Sequence, residues 1–210
     1  MRYTILWLVT WASVVTTQFE GIVEDEITKI LREFLRQYDP YRVPYVDDLH
    51  FVLEDGSDIH LAFKHAHLEG FSVVNCTGFS PPIFGSKVAL QFQMEQLRFP
   101  AEHYSADGTL KSQPYSAAGV GEMVAHLLTG DISFDTDAFS LSPLSVCAKE
   151  GTLNIDLSVA RLEGIFENGE ELSAEFEAYG SELIDDLQNW LLQYYSEFLV
   201  ALFNNFMCHS

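Results

Sequence analysis

The chain has 210 residues, with 11 Lys and Arg against 31 Asp and Glu, a formal net charge of −20 at 48% hydrophobic content. That much negative charge repels phosphate backbones and anionic bilayers, which argues against nucleic acid as a partner and against electrostatic membrane attachment. The 16 Phe and 9 Tyr equally exclude a disordered acidic chain too poor in apolar surface to fold.

The first element is "MRYTILWLVTWASVVTT", in which Arg2 precedes an apolar run from Tyr3 to Val15, and Val15 and Thr17 stand before Gln18. This reads as a secretory signal peptide over residues 1–17, leaving one domain over 18–210. No other segment approaches the ~18 uninterrupted apolar residues of a membrane span, so no stable membrane insertion is expected. From Glu20 to Tyr38, Val23, Ile27, Ile30, Leu31, Phe34 and Leu35 fall at helical spacings. The spacing predicts an amphipathic helix that stops at Asp39-Pro40, because the residue before proline avoids the α region.

From Leu49 to about Ala178 the period becomes two. "DIHLAFKHAHL" alternates through Ile59, Leu61 and Phe63; "SKVALQFQMEQL" through Val88, Leu90, Phe92 and Met94; "GTLNIDLSVARL" through Leu153, Ile155, Leu157 and Val159. Asp55-Gly56, Asp107-Gly108, Glu150-Gly151 and Asn168-Gly169 are the turn signals between strands expected to run eight to twelve residues. One apolar and one wet face mark an antiparallel sheet that covers something. From Ser181 to Phe206 the period is helical again, through Leu183, Leu187, Trp190, Leu191, Tyr194 and Phe198, and the second half is apolar almost all round. Such a helix has to be buried on several sides. The predicted class is α+β, a long curved antiparallel sheet wrapped around a long C-terminal helix, with an amphipathic helix at the N-terminus.

Motifs for catalysis and cofactors are missing: there is no G-x-S-x-G, H-E-x-x-H, C-x-x-C or phosphate-binding loop. Gly119-Val120-Gly121 lacks a third glycine, and Asp131, Asp135 and Asp137 lack the glycine and terminal Glu of a calcium loop. His65 and His67 share a strand face, with His60 on the opposite one, and no third ligand accompanies them; ordinary surface positions are the favoured reading and no metal is assigned. For a secreted chain, Cys76, Cys147 and Cys208 suggest one disulfide and one odd thiol. Cys76 with Cys147 is the favoured pair, and a bridge through Cys208, within the chain or between copies, is the alternative. Asn75-Cys76-Thr77 makes Asn75 a glycosylation acceptor. The large, flexible and aromatic apolar residues fit the lining of an apolar pocket as well as a filled core. Its expected lining is Leu61, Phe63, Leu90, Phe92, Met94, Leu127, Ile155, Leu157, Val159, Trp190, Leu191, Tyr194 and Phe198, with His65, His67, Tyr41 or Tyr45 at the rim for a head group.

"YDPYRVPYVDD" after the first helix, followed by "LAFKHAHLEGF" with its Gly70-Phe71 pair, resembles the arthropod group seven mite-allergen family, related to the juvenile-hormone-binding and takeout proteins of the TULIP superfamily. The resemblance is specific at Asp39, Pro40, Val43, Pro44, Leu61, Leu68 and Gly70. It implies a secreted, non-enzymatic protein that binds lipids or other apolar small molecules without a cofactor. The competing expectation is an acidic extracellular interaction protein with a fully packed core and no ligand.

Overall fold

The computed structural model describes residues 24–43, 45–80, 87–136, 148, 149 and 151–207, several side chains in the second half of the last helix excepted. Residues 1–17, expected as a signal peptide, and Pro44, Cys147 and Cys208 lie outside the described residues. Helix α1 covers residues 24–35. It is followed by β1 (Tyr41–Val43), β2 (Val46–Val52), β3 (Asp58–Leu68), β4 (Asn75–Ser80), β5 (Lys87–Leu110), β6 (Gln113–Asp135) and β7 (Asn154–Phe166), and then by α2 (Glu170–Ala178) and α3 (Gly180–Met207). All seven strands join one antiparallel sheet of order β1-β3-β5-β6-β7, with β2 also on β3 and β4 also on β5. The sheet is curved, and the α+β class holds.

β5 and β6 are far longer than the alternation suggested, at 24 and 23 residues. Asp107-Gly108 is no turn: it lies inside β5, and a Cβ on Gly108 would stand 2.0 Å from the Asp58 carbonyl oxygen, so the glycine serves close approach of β3. The hairpin turns instead at Lys111 and Ser112, whose φ angles of 50° and 65° give the two left-handed residues a type I′ turn needs. Helix α2 was also missed. Its signals are the Asn168-Gly169 turn, two acidic residues in the first turn, and Leu172 and Phe176 four apart, both buried.

The clean alternations end where the strands change faces. Met94 points inward and Glu95 and Gln96 are both exposed, after which Leu97, Phe99 and Ala101 take over the inner positions. On β7 the same inversion falls at Ala160 and Arg161. On β6 it falls at Leu127, where φ is 50°. Register pairs Gln96 with His126 and His126 with Arg161, so the three inversions line up as one crease across the sheet. A second crease joins Lys64 and His65 (φ 53°) on β3 to Glu102 and His103 on β5, where the ladder slips between Ala101 and Tyr104. A doubled outward residue bends a strand as a β-bulge does.

The largest core cluster lies beyond the first crease, where β2, β3, β5, β6 and β7 meet α2 and the start of α3 around Leu61, Phe63, Phe166, Phe176 and Leu183. Near the other end of the sheet, Val88, Phe134 and Ala148 pack with Val200 of α3. Helix α3 therefore links the two ends, and the Gln188 Oε1 accepts a 2.7 Å hydrogen bond from the Leu157 amide of edge strand β7.

Candidate functional site

Between these clusters a third apolar group forms on the inner face from Val74, Phe92, Met94 and Leu128. Its neighbours Leu31, Leu35, Phe71, Leu157 and Val159 are only partly buried. Leu31 and Leu35 come from α1, so this helix lies over the patch. Three polar anchors hold it there. Arg32 Nε donates to the Val74 carbonyl at 2.8 Å, its Nη2 donates to Asn75 Oδ1, and the Cys76 amide donates to Thr28 Oγ1 at 2.8 Å. Past the helix, Asp39 accepts from the amides of Gly70 (3.0 Å) and Ser72 (2.9 Å). Burial pushes the Asp39 carboxyl up, but the bonds from Ser72 and Gly70 outweigh it and leave its pKa below the ordinary value. Space in the patch is set partly by Gly130, where a Cβ would meet the Phe92 ring at 2.4 Å and Leu157 Cδ2 at 2.9 Å.

Of the expected lining, Phe92, Met94, Leu157 and Val159 gather here, with buried Leu90 and Ile155 further along the same face. Leu61 and Phe63 are 0% exposed within the large core cluster, and Trp190 packs half-buried against it. Leu191, Tyr194 and Phe198 are in α3, with side chains outside the described set. Leu127 is not an inner residue: the crease turns it outward and leaves it 45% exposed. Leu31, Leu35, Val74 and Leu128 were missed, although the helical stripe of the first helix already contained two of them.

A cleft of about 520 Å³ opens at the second crease, lined by Arg42, Val43, Tyr45, Lys64 and His65. Because the crease turns two successive β3 residues outward, Lys64 and His65 both reach it. Lys64 Nζ stands 5.4 Å from the centre of the Tyr45 ring. The Tyr45 hydroxyl bonds the Asp47 carboxylate, which raises its pKa together with burial. Neither Arg42 nor Lys64 forms an ion pair among the described residues, an unusual state for cations in a chain of net charge −20. Of the expected rim, the cleft unites Tyr45 and His65. The crease also corrects the face of His60, which is exposed on the same outer side as His65.

Cys76 carries a free, buried thiol rather than the expected bridge to Cys147, which lies outside the described residues. Its Sγ lies 3.6 Å from the Gly78 carbonyl oxygen across an irregularity in β4, and burial raises its pKa. Asn75, the glycosylation acceptor, is half-buried with its Oδ1 held by Arg32.

No protein-family model and no curated protein matches this chain. Among solved structures it is similar to Takeout 1 of Epiphyas postvittana, with a TM-score of 0.57 and 12% identity over 88% of this chain and 87% of that one. Lipopolysaccharide binding protein aligns over 85% of this chain and 39% of its own length, at 11% identity and a TM-score of 0.35. These comparisons lend no support to the mite-allergen side of the sequence resemblance. The first of them, spanning nearly the whole of both chains, establishes the architecture: the protein has the takeout-type fold of the TULIP roll.

Proposed function

We propose that the protein is an extracellular carrier of a lipid or other apolar small molecule, acting by binding without a chemical step. The observation that carries this reading is the apolar patch between the inner sheet face and α1, buried at Phe92 and Met94 and half-buried at its border of Leu31, Leu35, Leu157 and Val159. A ligand inserted there would shed water against Leu157, Val159, Leu31 and Leu35, gaining roughly 25 cal/mol per Å² of apolar area buried. The takeout-type fold and the secretory pattern of residues 1–17 support it. The cleft at Arg42, Lys64, His65 and Tyr45 shares no lining residue with this patch and is not part of the proposed site.

Lipid extraction and native mass spectrometry of the secreted protein test the proposal, followed by thermal melts of delipidated protein with fatty acids and their methyl esters. We expect co-purifying apolar molecules and a melting temperature that rises with fatty-acid and with ester concentration, since burial of the chain drives both. A delipidated protein that no fatty acid stabilises overturns it.

A second reading, an acidic interaction protein with a packed interior, is favoured by the complete burial of Leu61 and Phe63. It predicts salt-sensitive capture of a cationic partner and no thermal response to fatty acids.

A further inference from the structure

The outer face of the β2–β3 hairpin carries a constellation that the lipid-carrier reading leaves unused. His50 and His60 are register partners, and Val52 pairs with Asp58, so His50, Asp58 and His60 rise from neighbouring positions of one ladder. His50 Nε2 lies 2.7 Å from Asp58 Oδ1, and His60 Nε2 lies 3.8 Å from the same oxygen. The three donor atoms fall within 4.8 Å of one another. The two imidazoles are stacked, with centroids 4.2 Å apart and planes 3° from parallel. On the far side of His60, Nδ1 is 2.8 Å from Asp48 Oδ1.

We propose that His50, Asp58 and His60 bind a divalent transition-metal ion of the zinc class, with Asp48 as the positioning residue behind His60. Tetrahedral zinc with bonds of about 2.0–2.1 Å holds its ligand atoms roughly 3.3–3.4 Å apart, a separation bracketed by the distances present. In the neutral imidazole of His60, an Nδ1–H donated to Asp48 leaves the Nε2 lone pair free, and one ring has to turn out of the stack for both histidines to meet one ion. This carboxylate–histidine–metal arrangement recurs behind metal-bound histidines, where the outer carboxylate fixes the tautomer and raises ligand basicity. Without an ion, His50 and His60 each place one ring nitrogen on an aspartate, Asp58 and Asp48, and the binding experiment below separates that arrangement from a metal site. The fourth position is left to water or an external ligand.

The charge of the surroundings favours a cation. Asp48 and Asp58 bring two negative charges, and Asp186 of α3 is close enough to influence His50. Helix α3 packs against β2, and the Glu54 amide donates to Glu182 Oε2 at 3.3 Å. An ion on this ladder therefore sits beside the hairpin's contact with the helix. The inference concerns the outer face and stands whether or not the interior holds a lipid.

The test is a Zn(II) titration by calorimetry on the full-length secreted chain without a polyhistidine tag, paired with Co(II) absorption spectra. We expect one equivalent of zinc, visible-region Co(II) bands of low-symmetry coordination, and a zinc-dependent rise in melting temperature. His50→Ala and His60→Ala should each weaken binding at least about 10-fold, and Asp48→Asn by about 10- to 100-fold, as outer-shell losses do. Asp48→Asn should still give Co(II) bands at saturating metal, which separates positioning from direct ligation. His65→Ala with His67→Ala should bind as the wild type does. All these side chains except the half-buried His67 are exposed, and circular dichroism confirms that each variant folds. Wild-type protein that takes up no zinc, or a His50→Ala, His60→Ala double variant that binds it with unchanged affinity, overturns the proposal.

Discussion

Leu127 holds a left-handed backbone conformation in mid-strand while leaving 45% of its surface in water. A non-glycine residue in that region stores strain of about 1–3 kcal/mol, and the exposed side chain returns little of it through packing. Leu127→Gly is therefore expected to raise stability by about 1 kcal/mol, and Leu127→Val, whose branched Cβ tolerates positive φ poorly, to lower it by at least as much; urea melts measure both. Asp39 gives a prediction in pH. Its folded-state pKa is held below the ordinary 3.8, so its stabilising contribution is present above that value and is lost as pH falls through the lower folded value. Asp39→Asn should cost about 2 kcal/mol at neutral pH, and the gap to wild type should narrow on acidification below 3.8. The sequence made Asp39 legible as part of an identifying stretch, but its role as acceptor for Gly70 and Ser72 depends on contacts 31 and 33 residues away. No local pattern encodes that separation. The same limit hid the His50, Asp58, His60 group, since strand register rather than spacing brings His50 to His60.

The elements themselves were readable wherever periodicity was strong. The first and last helices, the strands around Phe63, Phe92 and Leu157, and the Asp55-Gly56 and Asn168-Gly169 turns all stand where the spacing put them. Strand β6 gave a weaker signal because glycine and alanine dilute its alternation, and α2 was too short to compete with the strand pattern before it. In the proposed function, helix α1 is the element that covers the ligand patch. Arg32 ties it to the sheet through Val74 and Asn75, so Arg32→Ala should loosen the helix by about 1–3 kcal/mol without unfolding the sheet. Hydrogen exchange should then speed up in residues 24–35 alone among the helices, and bound fatty acid should dissociate faster than from wild type.

At the scale of the whole molecule, the apolar clusters divide the work. The cluster around Phe63 and Phe176 and the one around Phe92 and Met94 are both bordered by half-buried residues. Phe63 and Phe176 stand at the centre of the larger cluster with almost no exposed surface, whereas the smaller one lies under α1. Phe63→Ala should therefore cost about 3–5 kcal/mol and leave the thermal response to fatty acid intact. Leu157→Lys should abolish that response at a smaller cost in stability; melts with and without ligand distinguish the two. Fold class was legible in the sequence because two helical periods flank a long period-two region. The rolled shape was not, because it depends on places where the alternation stops. Those places carry a further consequence. Each strand that crosses the first crease contains one residue more than unbroken alternation requires, at Glu95 or Gln96, at Leu127, and at Ala160 or Arg161. The bend at this crease is thus stored as three surplus residues, a count rather than a composition. Deleting one from a single strand would set it out of frame with its neighbours, whereas deleting one from all three would restore the frame and remove this bend, leaving the second crease in place.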